Sequence, residues 1–411
     1  MSKVQHVFIV GSKSFGAYGG YETFVDKLTE YHQNNEKIKY HVACKANGSG
    51  SRDESKLVGA TKINDEEFIY HNAHCFKIKI PERMGAEQAI YYDVKALEKC
   101  CEIIEKEKIE NAIVYILACR IGIIIRKYYK KLHKFGARLY INPDGHEWKR
   151  AKWKAPVRLY WKWSERMMIK YSDFVICDSK NIEKYVHDQY DKKGLKRSNP
   201  KTTFIAYGAK LRKSILKDDD PQYTEWLAQR GLKPGEYYLV VGRFVPENNY
   251  ETMIKEFLRS ESKKKFAIVT NIDSDILEKL ENDLHFIEDG RVRFVGTVYD
   301  QELLMKIREK AYAYLHGHSV GGTNPSLLES MGSETLNLLF DVGFNREVAE
   351  DTAFYWTKED YNLANLINKV DKMDLEEVKE KGRKAGERIK EYYSWESISD
   401  SYEEIFFNYS E

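Results

Sequence analysis

No apolar run in these 411 residues is long enough to cross a bilayer. The most apolar stretch, 112–125, is interrupted by Arg120 and falls short of the about 20 residues that a helical span needs. The opening MSKVQHVFIVGS reaches Gly-Ser too soon for a secretory signal and reads as a first strand. Charge of one sign is missing too: 66 Lys and Arg against 64 Asp and Glu leave a net +2, so global charge selects no partner. The six cysteines (Cys44, Cys75, Cys100, Cys101, Cys119 and Cys177) have no paired metal-ligand spacing and read as buried thiols of a reducing cytoplasm. There is no short-period repeat and no low-complexity tract. No strict GxGxxG follows the first strand, which argues against an NAD-dependent dehydrogenase.

What the chain does have is alternation. Short β-rich runs at 4–10, 40–44, 75–80, 113–117, 138–141, 174–177 and 203–207 are separated by longer helical patterns. Several runs are almost continuously apolar, as strands covered on both faces of a parallel sheet must be. The pattern lapses between about 209 and 236, where Asp218-Asp219-Asp220-Pro221 falls, and resumes at 237–241, 266–269, 292–295, 311–315 and 336–340. The expected architecture is therefore α/β with two doubly wound, Rossmann-like domains facing a central cleft. Residues 1–209 form the first, 210–235 a linker, and 236–392 the second. The chain's 42% hydrophobic content is that of a globular protein.

Three glycine-bearing turns follow strands, where open α/β sheets collect ligands. The first is Gly19-Gly20-Tyr21-Glu22, before an amphipathic helix. The second is Gly242-Arg243 through Asn248, opening the second array. The third is HSVGGTNPSLLESM at 318–331. In it Gly321 and Gly322 allow backbone amides to approach a ligand, with Thr323 beside them. Asn324 is placed to cap a helix and Pro325 to start it. The amides of such a start attract an anion, and Glu329, one turn in, can accept hydrogen bonds from ligand hydroxyls. Anion plus hydroxyls describes a nucleotide-sugar, though an ordinary strand–turn–helix junction would use the same residues. Asp273-Ser274-Asp275 has the look of a metal-binding DxD, but its place between a strand and a helix favours a cap. No metal site is expected.

A fourth candidate is Asn142-Pro143-Asp144-Gly145-His146-Glu147-Trp148, directly after a strand. Asp144, His146 and Glu147 suit acceptor hydroxyls; a capped, solvated turn is the competing reading. Around it, residues 126–170 hold fourteen Lys and Arg against three Asp and Glu, with four of the seven tryptophans. On a helix Lys154, Arg158, Lys162, Arg166 and Lys170 recur every fourth residue, beside an apolar row of Trp153, Val157, Trp161 and Met168. That pattern suits an anionic membrane surface, against the plainer reading of a solvated cationic face over a core stripe. Nothing else supports nucleic acid.

At these residues the chain resembles the retaining GT-B glycosyltransferases of family 4. Gly19-Gly20-Tyr21-Glu22 is similar to the family's GGxE loop, Gly242-Arg243 with Pro246-Glu247 to its GR-x-x-P-E-K segment, and Glu329 to the last glutamate of its E-x7-E motif. Tyr393-Ser394-Trp395 resembles the start of the family's terminal helix, which would return residues 393–411 to the first domain. The family lysine falls on Asn248 and the first glutamate of E-x7-E on Gly321. The combination of GSKxxxAYGGYETFV, NPDGHEWKRAKW, GRFVPENNYETMI and GGTNPSLLE is similar to the rhamnosyltransferases of capsule and cell-wall polysaccharide assembly.

The resemblance implies transfer of L-rhamnose from dTDP-L-rhamnose to a polyprenyl-diphosphate-linked sugar, glucose before N-acetylglucosamine, at the inner face of the cell membrane. It implies donor contacts from Gly19, Gly20, Arg243, Asn248, Gly321, Gly322, Thr323, Asn324 and Glu329. Acceptor contacts would come from Tyr21, Glu22, Asp144, His146 and Glu147. The catalytic set would be Arg243, Glu329, Asp144 and His146. No metal is needed if Arg243 and backbone amides carry the growing diphosphate charge. A nucleotide-sugar epimerase of the same fold, or a non-catalytic sugar-nucleotide-binding partner of other assembly enzymes, would share much of this set.

Overall fold

Near-continuous runs of Val, Ile, Leu and Tyr form strands covered on both faces, and their order fixes where the glycine turns emerge. The computed structural model describes residues 4–408 except 18, 86, 150–152 and 192–198. Its chain divides into two compact units, 1–207 with 395–411, and 208–394.

The first unit runs β1 (Gln5–Val10), α1 (Gly20–Tyr31), β2 (Ile38–Lys45), β3 (Thr61–Lys62), β4 (Glu67–Tyr70), β5 (Ala73–Ile78), α2 (Gln88–Glu107), β6 (Ile113–Leu117), α3 (Gly122–Lys134), β7 (Arg138–Asn142), α4 (Ala155–Lys170), β8 (Phe174–Cys177), α5 (Lys180–Tyr190) and β9 (Thr202–Phe204). Its sheet order is β3-β4-β5-β2-β1-β6-β7-β8-β9. All pairings are parallel except those that β4 makes with β3 and β5. β3 and β4 were not legible as strands: they are two and four residues long and sit in a charged stretch, and they extend the sheet edge.

The second unit contains α6 (Pro221–Arg230), β10 (Tyr237–Val241), α7 (Tyr250–Arg259), β11 (Lys265–Val269), α8 (Ser274–Leu284), α9 (Phe286–Asp289), β12 (Val292–Gly296), α10 (Gln301–Glu309), β13 (Ala313–His316), α11 (Pro325–Gly332), β14 (Leu336–Phe340), α12 (Gly343–Ala349), β15 (Phe354–Trp356), α13 (Asn362–Val370) and α14 (Leu375–Tyr392). Its six strands are all parallel, in the order β12-β11-β10-β13-β14-β15. That is the doubly wound order 3-2-1-4-5-6.

The stretch 210–235, expected as a linker, is corrected in part. It carries α6, capped by Asp220 and started by Pro221, which buries Tyr223, Trp226 and Leu227 against β10 and α10 residues. Three large apolar residues at helical spacing outweighed the charged run before them.

The last helix, α15 (Trp395–Asn408), follows the second unit in sequence but packs in the first. Its Tyr402 hydroxyl lies 3.2 Å from that of Tyr115 on β6, and its ring lies beside Phe24 of α1. All six cysteines are buried and unpaired. Among the described residues no helix is long and apolar enough to cross a membrane.

Three histidines stand in a row across β1, β2 and β5. His6 Nδ1 is 2.9 Å from His41 Nε2, His41 Nδ1 is 3.2 Å from His74 Nδ1, and His74 Nε2 is 3.6 Å from a Glu67 oxygen. Burial pushes His41 down to about 2, helped by the neighbouring His6, His74 and Lys39. Burial also lowers His6 and His74, with Lys39 adding to it and Glu107 opposing at both; Glu67 opposes at His74 as well. The folded chain then binds fewer protons than the unfolded one below pH ~6.5, so stability falls as pH drops through that value. Each pH unit below it costs ~1.4 kcal/mol per histidine held neutral. The urea midpoint is expected to be lower at pH 5.5 than at pH 7.5, and His41→Gln to flatten that slope. Equal midpoints at the two pH values would contradict it.

Candidate functional site

In the second unit β10 and β13 are hydrogen-bonded neighbours, although β11 and β12 intervene in sequence. Connections from the two strands depart to opposite sides, which opens a crevice at their carboxyl ends. Two loops meet there. Ser319 donates both its N–H and its hydroxyl to the Glu247 carbonyl, at 2.9 and 2.8 Å. Asn249, in a left-handed conformation at φ 53°, donates its side-chain amide to the Gly317 carbonyl at 2.6 Å. The approach is close enough that a Cβ on Gly317 would lie 2.1 Å from the Asn248 carbonyl oxygen.

The two departures from the family pattern both belong to this junction. The Asn248 side chain donates to the Arg243 carbonyl at 2.8 Å, and its oxygen lies 2.9 Å from His318 Nδ1. It ties the 243–248 loop shut and does not extend outward as a lysine would. Gly321 has φ +137°, a region that L side chains rarely adopt, with the His318 ring 3.0 Å from where a Cβ would stand. A glutamate there would be strained by the backbone and would press on the His318 ring.

Arg243 follows directly; its side chain is exposed. α11 begins where the sequence placed it: Asn324 Oδ1 accepts the Ser326 N–H at 2.9 Å and Pro325 occupies the first turn. The Ser326 hydroxyl reaches the Val241 carbonyl at 3.0 Å and the Tyr314 hydroxyl at 2.8 Å, fixing the helix start against the end of β10. Gly322 and Thr323 lie buried in the preceding turn. Glu329 is half-exposed, and one of its oxygens is held 2.6 Å from the guanidinium of buried Arg308. That clamp had no sequence signal, since Arg308 reads as an ordinary charge on α10. Asp273 Oδ1 caps α8 through the Asp275 N–H at 3.0 Å.

In the first unit, Gly19 precedes α1 without a side-chain cap, Gly20 is exposed, and Tyr18 lies outside the described residues. Glu22 is buried and accepts the Lys13 N–H at 2.9 Å. That hydrogen bond braces the loop after β1. The Tyr21 hydroxyl is buried with no hydrogen-bond partner among the described residues. Burial raises its pKa well above the usual value, and the Asp144 charge adds to it.

The loop after β7 holds two non-glycine residues in left-handed conformations, Asp144 at φ 58° and His146 at φ 57°. Asn142 Oδ1 accepts the Asp144 N–H at 2.8 Å, and Asp144 Oδ1 accepts the Gly145 N–H at 2.7 Å. Burial, and then Lys149, push His146 down to about 4 against the pull of Asp144, so the ring is neutral at pH 7. Glu147 accepts the Trp153 indole N–H at 2.8 Å. The structure thus gathers Tyr21, Asp144 and His146 at the carboxyl ends of the strands, while Glu22 and Glu147 serve as loop ties.

Sequence reading missed Arg120, noting it only as a break in an apolar stretch. It follows β6, pairs with fully buried Asp93 at 3.0 Å and donates to the Gly11 carbonyl at 3.4 Å. Its charge acts on Tyr21. A lone arginine just past a buried strand is the signal that was there to use.

On α4 the surface differs from the expected stripe. Trp153 lies before the helix begins and packs tilted against half-buried Trp161, with ring centroids 5.7 Å apart. Met168 is buried. The exposed apolar residues are Val157, Leu159 at 71% and Trp163 at 42%, with Ile123 exposed on α3. Lys154, Arg158, Lys162 and Lys170 are exposed, and Arg166 is half-buried. Residues 150–152 of the NPDGHEWKRAKW motif lie outside the described residues.

The family model described as "Domain of unknown function (DUF1972)" matches residues 4–210. No curated protein matches the sequence. Solved structures match over nearly the whole chain. A sucrose-phosphate synthase from Thermosynechococcus elongatus superposes with a TM-score of 0.73 at 15% identity, covering 98% of each chain. Anabaena HepE in complex with UDP gives 0.68 at 12%, over 98% of this chain and 100% of that one. An E. coli structure described as trehalose-6-phosphate bound with UDP-2-fluoro glucose gives 0.68 at 10%, over 98% and 99%. The expected fold class holds: two Rossmann-like units of the GT-B type.

Proposed function

The chain belongs to the DUF1972 family, whose description carries no activity, and from its two sites we propose that it is a retaining, nucleotide-sugar-dependent glycosyltransferase. One observation carries this reading. At the carboxyl ends of β10 and β13 an exposed guanidinium, a capped helix start and a clamped carboxylate surround one junction. Arg243 and the amides of residues 322–324 suit a diphosphate, and Glu329 suits ribose hydroxyls. HepE with UDP shares the fold, which agrees with such a donor.

In the reaction the bond from the sugar's anomeric carbon to the diphosphate oxygen breaks, and an acceptor oxygen bonds that carbon from the same face. The acceptor proton passes to a departing phosphate oxygen. Arg243 stabilises the charge gathering on the diphosphate, so no divalent metal is required by this scheme. Asp144, neutral His146 and Tyr21 hold the acceptor hydroxyl. The finer assignment is dTDP-L-rhamnose as donor and a sugar on polyprenyl diphosphate as acceptor, glucose before N-acetylglucosamine. It rests on the motif resemblance and on the exposed Leu159, Trp163 and lysines of α4, which suit an anionic membrane surface.

The test is purified protein with a panel of nucleotide-sugars and lipid-diphosphate sugars, read by product mass and proton NMR. Transfer from dTDP-rhamnose with retained configuration is expected, and it should survive EDTA. Transfer from UDP-hexose alone would overturn the donor. Donor consumed without acceptor would favour the epimerase, and nucleotide binding with no turnover the assembly partner.

The membrane half has its own test. Each basic residue near an anionic surface contributes about 1 kcal/mol. Changing Lys154, Arg158, Lys162 and Arg166 together to Gln should lower partition onto phosphatidylglycerol vesicles about a hundredfold or more, and high salt should do likewise to the wild type. Sedimentation indifferent to both would return α4 to a solvated surface.

A further inference from the structure

Glu165 lies on the inner face of α4 and is 3% exposed. One of its oxygens accepts hydrogen bonds from two tyrosine hydroxyls of α5, Tyr185 and Tyr190, each at 2.7 Å. No lysine, arginine or histidine forms a salt bridge with it among the described residues, and Lys162, one turn earlier, acts on it only through its charge. Burial raises its pKa in spite of both phenols.

A buried carboxylate without a cation is destabilising, and a well-packed apolar residue would stabilise the same place better. Its partners show what the carboxylate does. The Tyr185 hydroxyl that donates to Glu165 also accepts the Trp148 indole N–H at 3.3 Å. The Tyr185 ring packs on His146 with centroids 4.1 Å apart. The Lys162 ammonium lies over the Trp148 ring, 4.4 Å from its centroid. His146 and Asp144 are both held in left-handed backbone conformations, which persist only where surrounding contacts over-determine them.

We propose that Glu165 is a positioning residue for the loop after β7, holding Tyr185 where its ring and hydroxyl fix His146 and Trp148. The proposal rests on the reading of that loop as the acceptor site. Glu165 touches neither His146 nor substrate; it acts through Tyr185. His146, one of the acceptor-directed side chains of the loop, is thereby held from α5, and through it from α4, as well as by the strand that precedes it. A glutamine keeps an oxygen for the two phenols, whereas a leucine removes the acceptor of both hydroxyls.

The experiment compares Glu165→Gln, Glu165→Leu and Tyr185→Phe in the full chain. Readouts are ¹H–¹⁵N correlations of the His146 imidazole, nucleotide affinity, and kcat and KM for acceptor. Glu165→Leu and Tyr185→Phe are expected to move the His146 signals. They should lower kcat/KM for acceptor about tenfold or more, with nucleotide affinity unchanged. Glu165→Gln should leave the His146 signals near wild type and keep kcat/KM within about threefold. If Glu165→Leu fails to fold, Tyr185→Phe carries the same comparison on an intact carboxylate. Unmoved His146 signals in a folded Tyr185→Phe would overturn the proposal. Moved signals with no transfer in any variant, wild type included, would sustain the positioning role and overturn the transferase reading.

Discussion

Arg243→Ala is expected to lower kcat at saturating donor by about 10²–10³, the usual loss when one donor to a developing oxyanion is removed. The guanidinium is exposed, while the backbone of the same residue is fastened by the Asn248 side chain. Removing the side chain should therefore leave the loop in place. The diphosphate gains charge as the glycosidic bond breaks, so the contact is stronger in the transition state than with bound donor. A lysine should recover little, because it cannot present two parallel N–H bonds to a phosphate. Steady-state kinetics over a full donor range decide the point. If only KM for donor rises and kcat is kept, Arg243 binds and does not catalyse.

Glu329→Ala is expected to weaken dTDP binding about tenfold to a hundredfold, from a charge-assisted hydrogen bond of about 1.5–3 kcal/mol. The ion pair with Arg308 complicates the single substitution, because it leaves a 5% exposed guanidinium without its carboxylate. Breaking a fully buried pair from one side typically costs about 3–5 kcal/mol of stability; with the Glu329 side chain 43% exposed the loss here should be smaller. Arg308→Met separates the two effects. The double variant Glu329→Ala with Arg308→Met should regain most of the lost thermal stability and none of the lost affinity. Calorimetry showing wild-type dTDP affinity in a folded Glu329→Ala would dismiss the ribose role.

The helix start at Asn324-Pro325 and the cap at Asp273 were legible because capping is local: a short polar side chain meets an amide two residues on. The central strands of both sheets were legible for a similar reason, since burial on both faces leaves near-continuous apolar runs; the edge strands β3, β4 and β15 were not. What escaped was the identity of partners far along the chain. Glu329 was visible and Arg308 was not, because α10 and α11 are brought together by the sheet order. Glu22 and Glu147 were legible as polar residues beside glycine turns, but their engagement by Lys13 and Trp153 depends on how each loop closes. The tryptophan row on α4 failed at a boundary: counting helical phase from Trp153 assumed a helix that begins only at Ala155. Asn248 and Gly321 stood out as missing family residues, and the structure gives both a place in one loop junction.

The packing of α15 into the first unit has a consequence for how the chain is made. Synthesis delivers 187 intervening residues, a whole second unit, before the helix that covers α1 and β6 can arrive. Until then the apolar faces of Phe24 and Tyr115 lack their Tyr402 cover. The second unit is thus synthesised whole before the first, though begun earlier, has its last helix. Closure of the first unit then becomes the late step, and the nascent chain must shield that seam while it waits.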